Sequence, residues 1–182
     1  MPEIFKNSVT RRAGDSTANT AASIGANATS ITALTSTSGV QVGDLVDSQH
    51  FLNGTKVTVV GANSVDVDTA STNTAATTNQ QVSLLGGSTV YTATVKSILI
   101  GGTFTNNTRN QIRLSIELVD SSAGTAAQLV GRVPVPVGSS FVLSDSGKTV
   151  IESGDSIVVY CSDVPWDDDG CSGRGDAEVG VP

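Results

Sequence analysis

Residues 111–119, Gln111-Ile112-Arg113-Leu114-Ser115-Ile116-Glu117-Leu118-Val119, decide the fold. Ile112, Leu114, Ile116 and Leu118 recur at every second position, with Arg113, Ser115 and Glu117 between them. That is the period of a strand with one face on a core and the other in water. Strand phrases of the same kind surround it: Val90–Val95, Ser97–Gly101, Gln128–Val133, Ser140–Leu143, Thr149–Ile151 and Ser156–Cys161. Seven strands in about 75 residues predict an antiparallel β-sandwich, jelly-roll or immunoglobulin-like, over residues 88–162. Val133-Pro134-Val135-Pro136-Val137 belongs on an edge or near a turn, because proline donates nothing to a ladder.

Working outward, residues 21–87 hold shorter strand-like runs, at 29–35, 56–60, 64–68 and 81–85, separated by Ser38-Gly39, Val42-Gly43-Asp44, Asn53-Gly54 and Gly61-Ala62-Asn63. They predict a small all-β module, inserted in or preceding the sandwich. Thr69–Gln80 has neither charge nor large apolar side chains and reads as a loop, and Gly86-Gly87-Ser88 marks the boundary. Residues 1–20 read as an N-terminal arm, and residues 163–182, with six acidic side chains against Arg174, read as an acidic C-terminal tail.

Composition agrees with an all-β chain. Val, Ile and Thr supply 55 of the 182 residues, while 15% are charged and 4% aromatic. No 11-residue window keeps a helical period, and no apolar run is long enough for a transmembrane helix. The opening residues lack a secretory leader, so folding in a reducing cytoplasm is the expectation. With net charge −7 and no basic stripe interleaved with aromatics, neither nucleic acid nor membrane is an expected partner.

The residues that carry chemistry are few. His50 is the sole histidine, so a serine nucleophile at Gly154-Asp155-Ser156 has little chance of a base; the phrase reads as a turn feeding a strand. No enzyme activity and no cofactor are expected. Cys161 and Cys171 enclose nine residues, and the spacing leaves a small disulfide loop and two thiols both open. Asp167, Asp168 and Asp169 offer oxygens for a calcium ion but lack the ligand spacing of an EF-hand, so a solvated acidic loop is the competing reading. Arg174-Gly175-Asp176 is a chance match to an adhesion tripeptide. The sequons at Asn27, Asn53 and Asn106 mark surface turns. Trp166 either plugs one end of the sandwich or anchors in a partner's pocket. Ile4 and Phe5 (apolar) with Lys6, Arg11 and Arg12 (basic) form the one basic cluster of an acidic chain and are candidate contacts to a partner.

Two stretches carry a resemblance. Lys6–Thr10, Thr89–Thr94, Ile112–Val119, Val133–Ser140 and Lys148–Val159 together resemble small β-sandwich virion proteins of tailed bacteriophages, among them capsid decoration or cement proteins and relatives on necks and tails. Residues 28–70 look like a compact β module of phage fibre and appendage proteins. The resemblance implies a virion structural protein, assembled in the host cytoplasm, that binds the outer surface of the major capsid protein shell as a homodimer or homotrimer. A tail, neck or baseplate adaptor or fibre component is the alternative, and a carbohydrate-binding module a second one. The module's Ser/Thr/Asn surface suits a host-surface glycan. The same resemblance implies one more strand after Cys161, where the sequence departs from the pattern, and it carries over no active-site residue.

Overall fold

The computed structural model describes residues 8–162 and 177–181, with backbone alone at Arg12, 145–148 and 177–181. In chain order the strands are β1 Ser8–Ala13, β2 Asp15–Ile24, β3 Ser30–Thr32, β4 Leu45–Asp47, β5 Val57–Val60, β6 Val65–Val67, β7 Thr77–Gly86, β8 Ser88–Thr92, β9 Ser97–Asn106, β10 Ile112–Asp120, β11 Thr125–Val135, β12 Ser140–Ile151, β13 Ser156–Ser162 and β14 Ala177–Val181. All pairings among them are antiparallel.

Eight of these strands form two four-stranded sheets, ordered β1-β14-β9-β12 and β11-β10-β13-β8. The chain crosses between the sheets at most connections, and the last strand lies beside the first. This is the eight-strand jelly-roll order. The alternation in residues 111–119 does what the sequence predicts on one side. Ile112, Leu114 and Ile116 join Phe104, Val130, Ile151, Ile157, Val159 and Cys161 in the core between the sheets. The further strand after Cys161 is β14.

The remaining six strands form one sheet, β4-β7-β2-β3-β6-β5. Leu45 bridges Lys56, and Val46 N and Val57 N donate to Thr55 O and Asp44 O, so the two ends of this order meet. Closure of this kind leaves few unpaired edge groups. Ile24, Ile31, Leu34, Phe51, Val57, Val65, Val82 and Leu84 fill its interior. The module lies between β1 and β8 in the chain, so it is inserted in the sandwich.

Three sequence expectations change. Residues 8–20 are not an arm: Ser8–Ala13 pairs with β14, and Asp15–Ile24 is a ten-residue strand paired with β7. It escapes notice because its buried positions are Asn19, Ala22 and Ile24, small or polar until the last. The C-terminal tail contains the strand β14. Within the loop expected over 69–80, Thr77–Gln80 already belongs to β7.

Turns follow local chemistry. The β10–β11 hairpin closes where the Asp120 carboxylate accepts from Ala123 N, Ser122 Oγ and Ser122 N, which holds its pKa below the usual carboxylate value. Glu152–Asp155 turns β12 into β13, with the buried Asp155 carboxylate accepting from Glu152 N and Ser121 N. The Pro-containing strand β11 is an edge, as its prolines require.

Candidate functional site

The two outer faces of the sandwich are treated differently, and the reason starts in β11. Opposite Ser115, residues 131 and 132 occupy the place of one, a bulge in which Arg132 takes the left-handed φ of 52° and its N donates to Ser115 Oγ. Bulges re-aim a side chain, and this one turns the Arg132 guanidinium out of its own sheet into the module. Its Nη1 and Nη2 donate to Phe51 O and Val46 O, and its Nε lies 3.0 Å from Asp47 Oδ1. Arg113 Nη1 reaches the other carboxylate oxygen of Asp47 at 3.3 Å. A second pairing stands beside the first: Lys56 Nζ lies 2.8 Å from Glu117 Oε2, which also accepts from Tyr160 OH. Asp47 and Glu117 are both 2% exposed.

Burial and the opposing Arg113 charge hold the Arg132 guanidinium below its ordinary pKa despite the pull of Asp47. Burial first, then the Glu117 charge, pushes the Tyr160 phenol far above its ordinary pKa, so it stays a proton donor. Leu45, Leu85 and Tyr160 add an apolar contact with Val158 beside these charges. The polar face of β10, which the sequence assigns to water, is therefore the seat of the module. Alternation tells which side is polar; it does not tell what covers that side.

The other outer face, on the sheet β1-β14-β9-β12, has no cover among the described residues. Val9, Ile98, Ile100, Val142 and Val150 stand on it, each between 47% and 64% exposed. Pairing puts them together: Ile98 is opposite Val150, Thr103 is opposite both Val142 and Gly180, and Gly180 is opposite Val9. Between them lie Thr103, Thr105 and Ser140, the last two with hydroxyls 2.9 Å apart. Among the side chains described, Arg11 at the rim is this face's charged group, and the β14 backbone places Glu178 in register with Thr105. Five neighbouring aliphatics of this kind form a patch, and such patches mark interaction sites. Among the described residues, the remaining large exposed aliphatics, Val42, Leu52, Val59, Val95 and Val137, are not on strands of this sheet.

The chain matches no family model, no curated protein and no solved structure.

Of the residues singled out in the sequence, Arg11 and Arg12 lie on β1, the strand that carries Val9, and Arg11 is exposed there. Ile4, Phe5, Lys6, Trp166, Asp167, Asp168, Asp169, Cys171 and the 174–176 tripeptide lie outside the described residues. Cys161 is wholly buried, with Gly14 packed against it. His50 sits in the module with Nε2 2.8 Å from Gln80 Oε1, whereas Ser156 opens β13 opposite Thr92. Among the described residues no group of three or more His, Cys, Asp or Glu is arranged to hold a metal ion. One sequon is not a surface turn: Asn106 is fully buried, its amide donating to Asn110 O and Val135 O while its oxygen accepts from Thr108.

Strand period and turn signals place these residues on strands without marking the face as exposed. A signal was there. Ile98-Leu99-Ile100, Phe141-Val142-Leu143 and Val150-Ile151 are apolar at consecutive positions, so both faces of β9 and β12 are apolar.

Proposed function

We propose that this protein is a structural component of a bacteriophage virion, a capsid decoration (cement) protein that lies on the outer surface of the major capsid shell and stabilises it. The observation that carries the reading is the open aliphatic face on β1, β9 and β12, in a sandwich whose opposite face is closed by the inserted module. Such a body is suited to lying against other protein, and it acts by contact and not by making or breaking bonds. A protein that binds the assembled shell and not free subunits shifts assembly toward the shell by mass action. The class of partner comes from the resemblance of the strand and turn phrasing to phage decoration proteins.

The N-terminal residues enter this reading through β1. Arg11 and Arg12 hold positions on a strand of the docking sheet, and Ile4, Phe5 and Lys6 precede it directly. Removing residues 1–12 would take out most of β1, so the informative deletion stops at residue 7. Co-sedimentation with expanded capsids is expected for the full chain and weakened for the 1–7 deletion and for Arg11→Glu. Full-length protein that stays in the supernatant overturns the reading. The inserted module, similar to those of phage appendages, favours the second reading of a tail, neck or baseplate part. Copy number per particle separates the two: hundreds for a shell protein, a few to dozens for a tail part.

A further inference from the structure

We propose that Asn53-Gly54 is a self-modifying site, at which the asparagine converts without an enzyme to isoaspartate, and that the product loosens the module's hold on Arg132. The reaction takes water alone as co-reactant, so the inference stands apart from the capsid reading.

The turn Leu52–Thr55 sets up the reacting groups. Leu52 O accepts from Thr55 N and, at 2.9 Å, from Thr55 Oγ1, while Gly54 takes a φ of +88°. Gly54 N has no hydrogen-bond partner among the described residues, and neither has the exposed Asn53 amide. Glycine carries no side chain to obstruct attack on the neighbouring carboxamide, so nucleophile and electrophile stand adjacent and free. Two other asparagines are held. Asn73 Nδ2 donates to Ile24 O and Ala75 O, Asn106 is buried with its amide donating to Asn110 O and Val135 O, and Thr74 and Asn107 follow them with side chains of their own.

In the reaction Gly54 N gives up its proton and bonds to Asn53 Cγ, the Cγ–Nδ2 bond breaks, and ammonia leaves with that proton. Water then opens the cyclic imide. Addition at Cγ yields aspartate; addition at the main-chain carbonyl yields isoaspartate, with the chain rerouted through Cβ and Cγ. Either product adds a negative charge to a chain that carries −7. The lengthened backbone of isoaspartate is anchored on both sides. Phe51 O, before the turn, accepts from Arg132 Nη1, and Thr55 O, at its end, accepts from Val46 N. Phe51 and Thr55 are both buried, and Asn53 Nδ2 lies 3.0 Å from where a Cβ on Gly131 would stand, against the bulge that aims Arg132. An extra backbone carbon between Phe51 and Thr55 therefore strains the contacts that seat the module.

The test is peptide mapping by mass spectrometry of the full chain aged in mildly alkaline buffer, native and unfolded in guanidinium. Native Asn53 is expected to convert within about tenfold of the unfolded rate, because a turn that had to open first would react about tenfold more slowly for each 1.4 kcal/mol of opening. Asn73 and Asn106 should keep their amides in the native chain. Protection of Asn53 beyond about tenfold overturns the site. The effect on the seat is read in urea unfolding. Aged native protein should unfold at a lower midpoint than fresh protein, and aged Asn53→Gln, whose imide would need a larger ring, should not. Fresh Asn53→Asp, which adds the charge without lengthening the chain, should stay near the native midpoint. An unchanged midpoint with isoaspartate present at 53 overturns the loosening, and so does an Asn53→Asp midpoint as low as that of the aged chain. Neither readout involves capsids.

Discussion

Two glycines connect the sandwich to its inserted module, and neither position has room for a side chain. At Gly14, between β1 and β2, φ is +89° and a Cβ would lie 2.9 Å from Cys161 N and Cβ. At Gly87, between β7 and β8, a Cβ would lie 2.7 Å from Tyr160 Cε1 and Val158 Cγ1. Both crossings press on β13, so Gly14→Ala and Gly87→Ala should each cost about 1–3 kcal/mol in urea unfolding. Gly39→Ala, also at positive φ but with nothing within 4 Å, carries only the backbone penalty, about 1 kcal/mol. Equal losses at all three would show that the close approach to β13 does not matter. Tyr160 gives the molecule an alkaline limit. Its phenol is raised above the ordinary 10.0 by burial and by Glu117, so the stability it contributes is whole below pH 10 and is lost as pH rises through the raised value. In alkaline unfolding, Tyr160→Phe should flatten this decline. A Tyr160 phenol that ionises near pH 10 in the folded protein, identified as the ultraviolet absorbance step that Tyr160→Phe removes, would refute it.

At the level of elements, β10, β11 and β4 meet through charges taken out of water. Breaking a buried pair removes a compensating charge, so Asp47→Ala, which takes the carboxylate away from both Arg113 and Arg132, should cost about 3–5 kcal/mol. Arg132 offers a finer test because its φ of 52° is one that side chains avoid. Arg132→Ala and Arg132→Gly both delete the contacts to Asp47, Phe51 O and Val46 O, but glycine alone is relieved of the backbone strain. The glycine variant should be the more stable by about 1 kcal/mol in chemical denaturation. Alanine equal to or better than glycine would mean the bulge imposes no strain. The existence of β10 and β11 is written in their alternation and their Val-Pro repeats. Their bulge is less visible, since Gly131-Arg132 inside a strand phrase signals one only to a reader who expects a glycine there to have a backbone reason.

For the molecule as a whole, the ion pairs and the Leu45, Leu85 and Tyr160 contact couple two bodies that each have a core of their own. Coupling of this strength should make them unfold together. Calorimetry of the native chain is expected to show one transition, with equal calorimetric and van't Hoff enthalpies, and Asp47→Ala to resolve two. Two transitions in the native protein would mean that the interface is weaker than its burial implies. The same coupling bears on excision of the module: removing residues 15–86 uncovers Glu117, Arg113, Arg132 and Tyr160, so that variant needs these side chains redesigned before its capsid or cell binding is informative.

Legible in the residues alone are the all-β class, the course of most sandwich strands, the side of β10 that faces a core and the placing of the Val-Pro segment on an edge or near a turn, because period-two burial and the missing proline donor are local properties of consecutive residues. The doubly apolar β9 and β12 are local in the same sense. Only the tertiary structure decided that Ser8–Ala13 pairs with β14, that the polar side of β10 is sealed by the module, and that the open face lies on the opposite sheet. Those facts depend on pairings between residues as far apart as Ser8 and Val181, and on what covers a face, which no local pattern encodes.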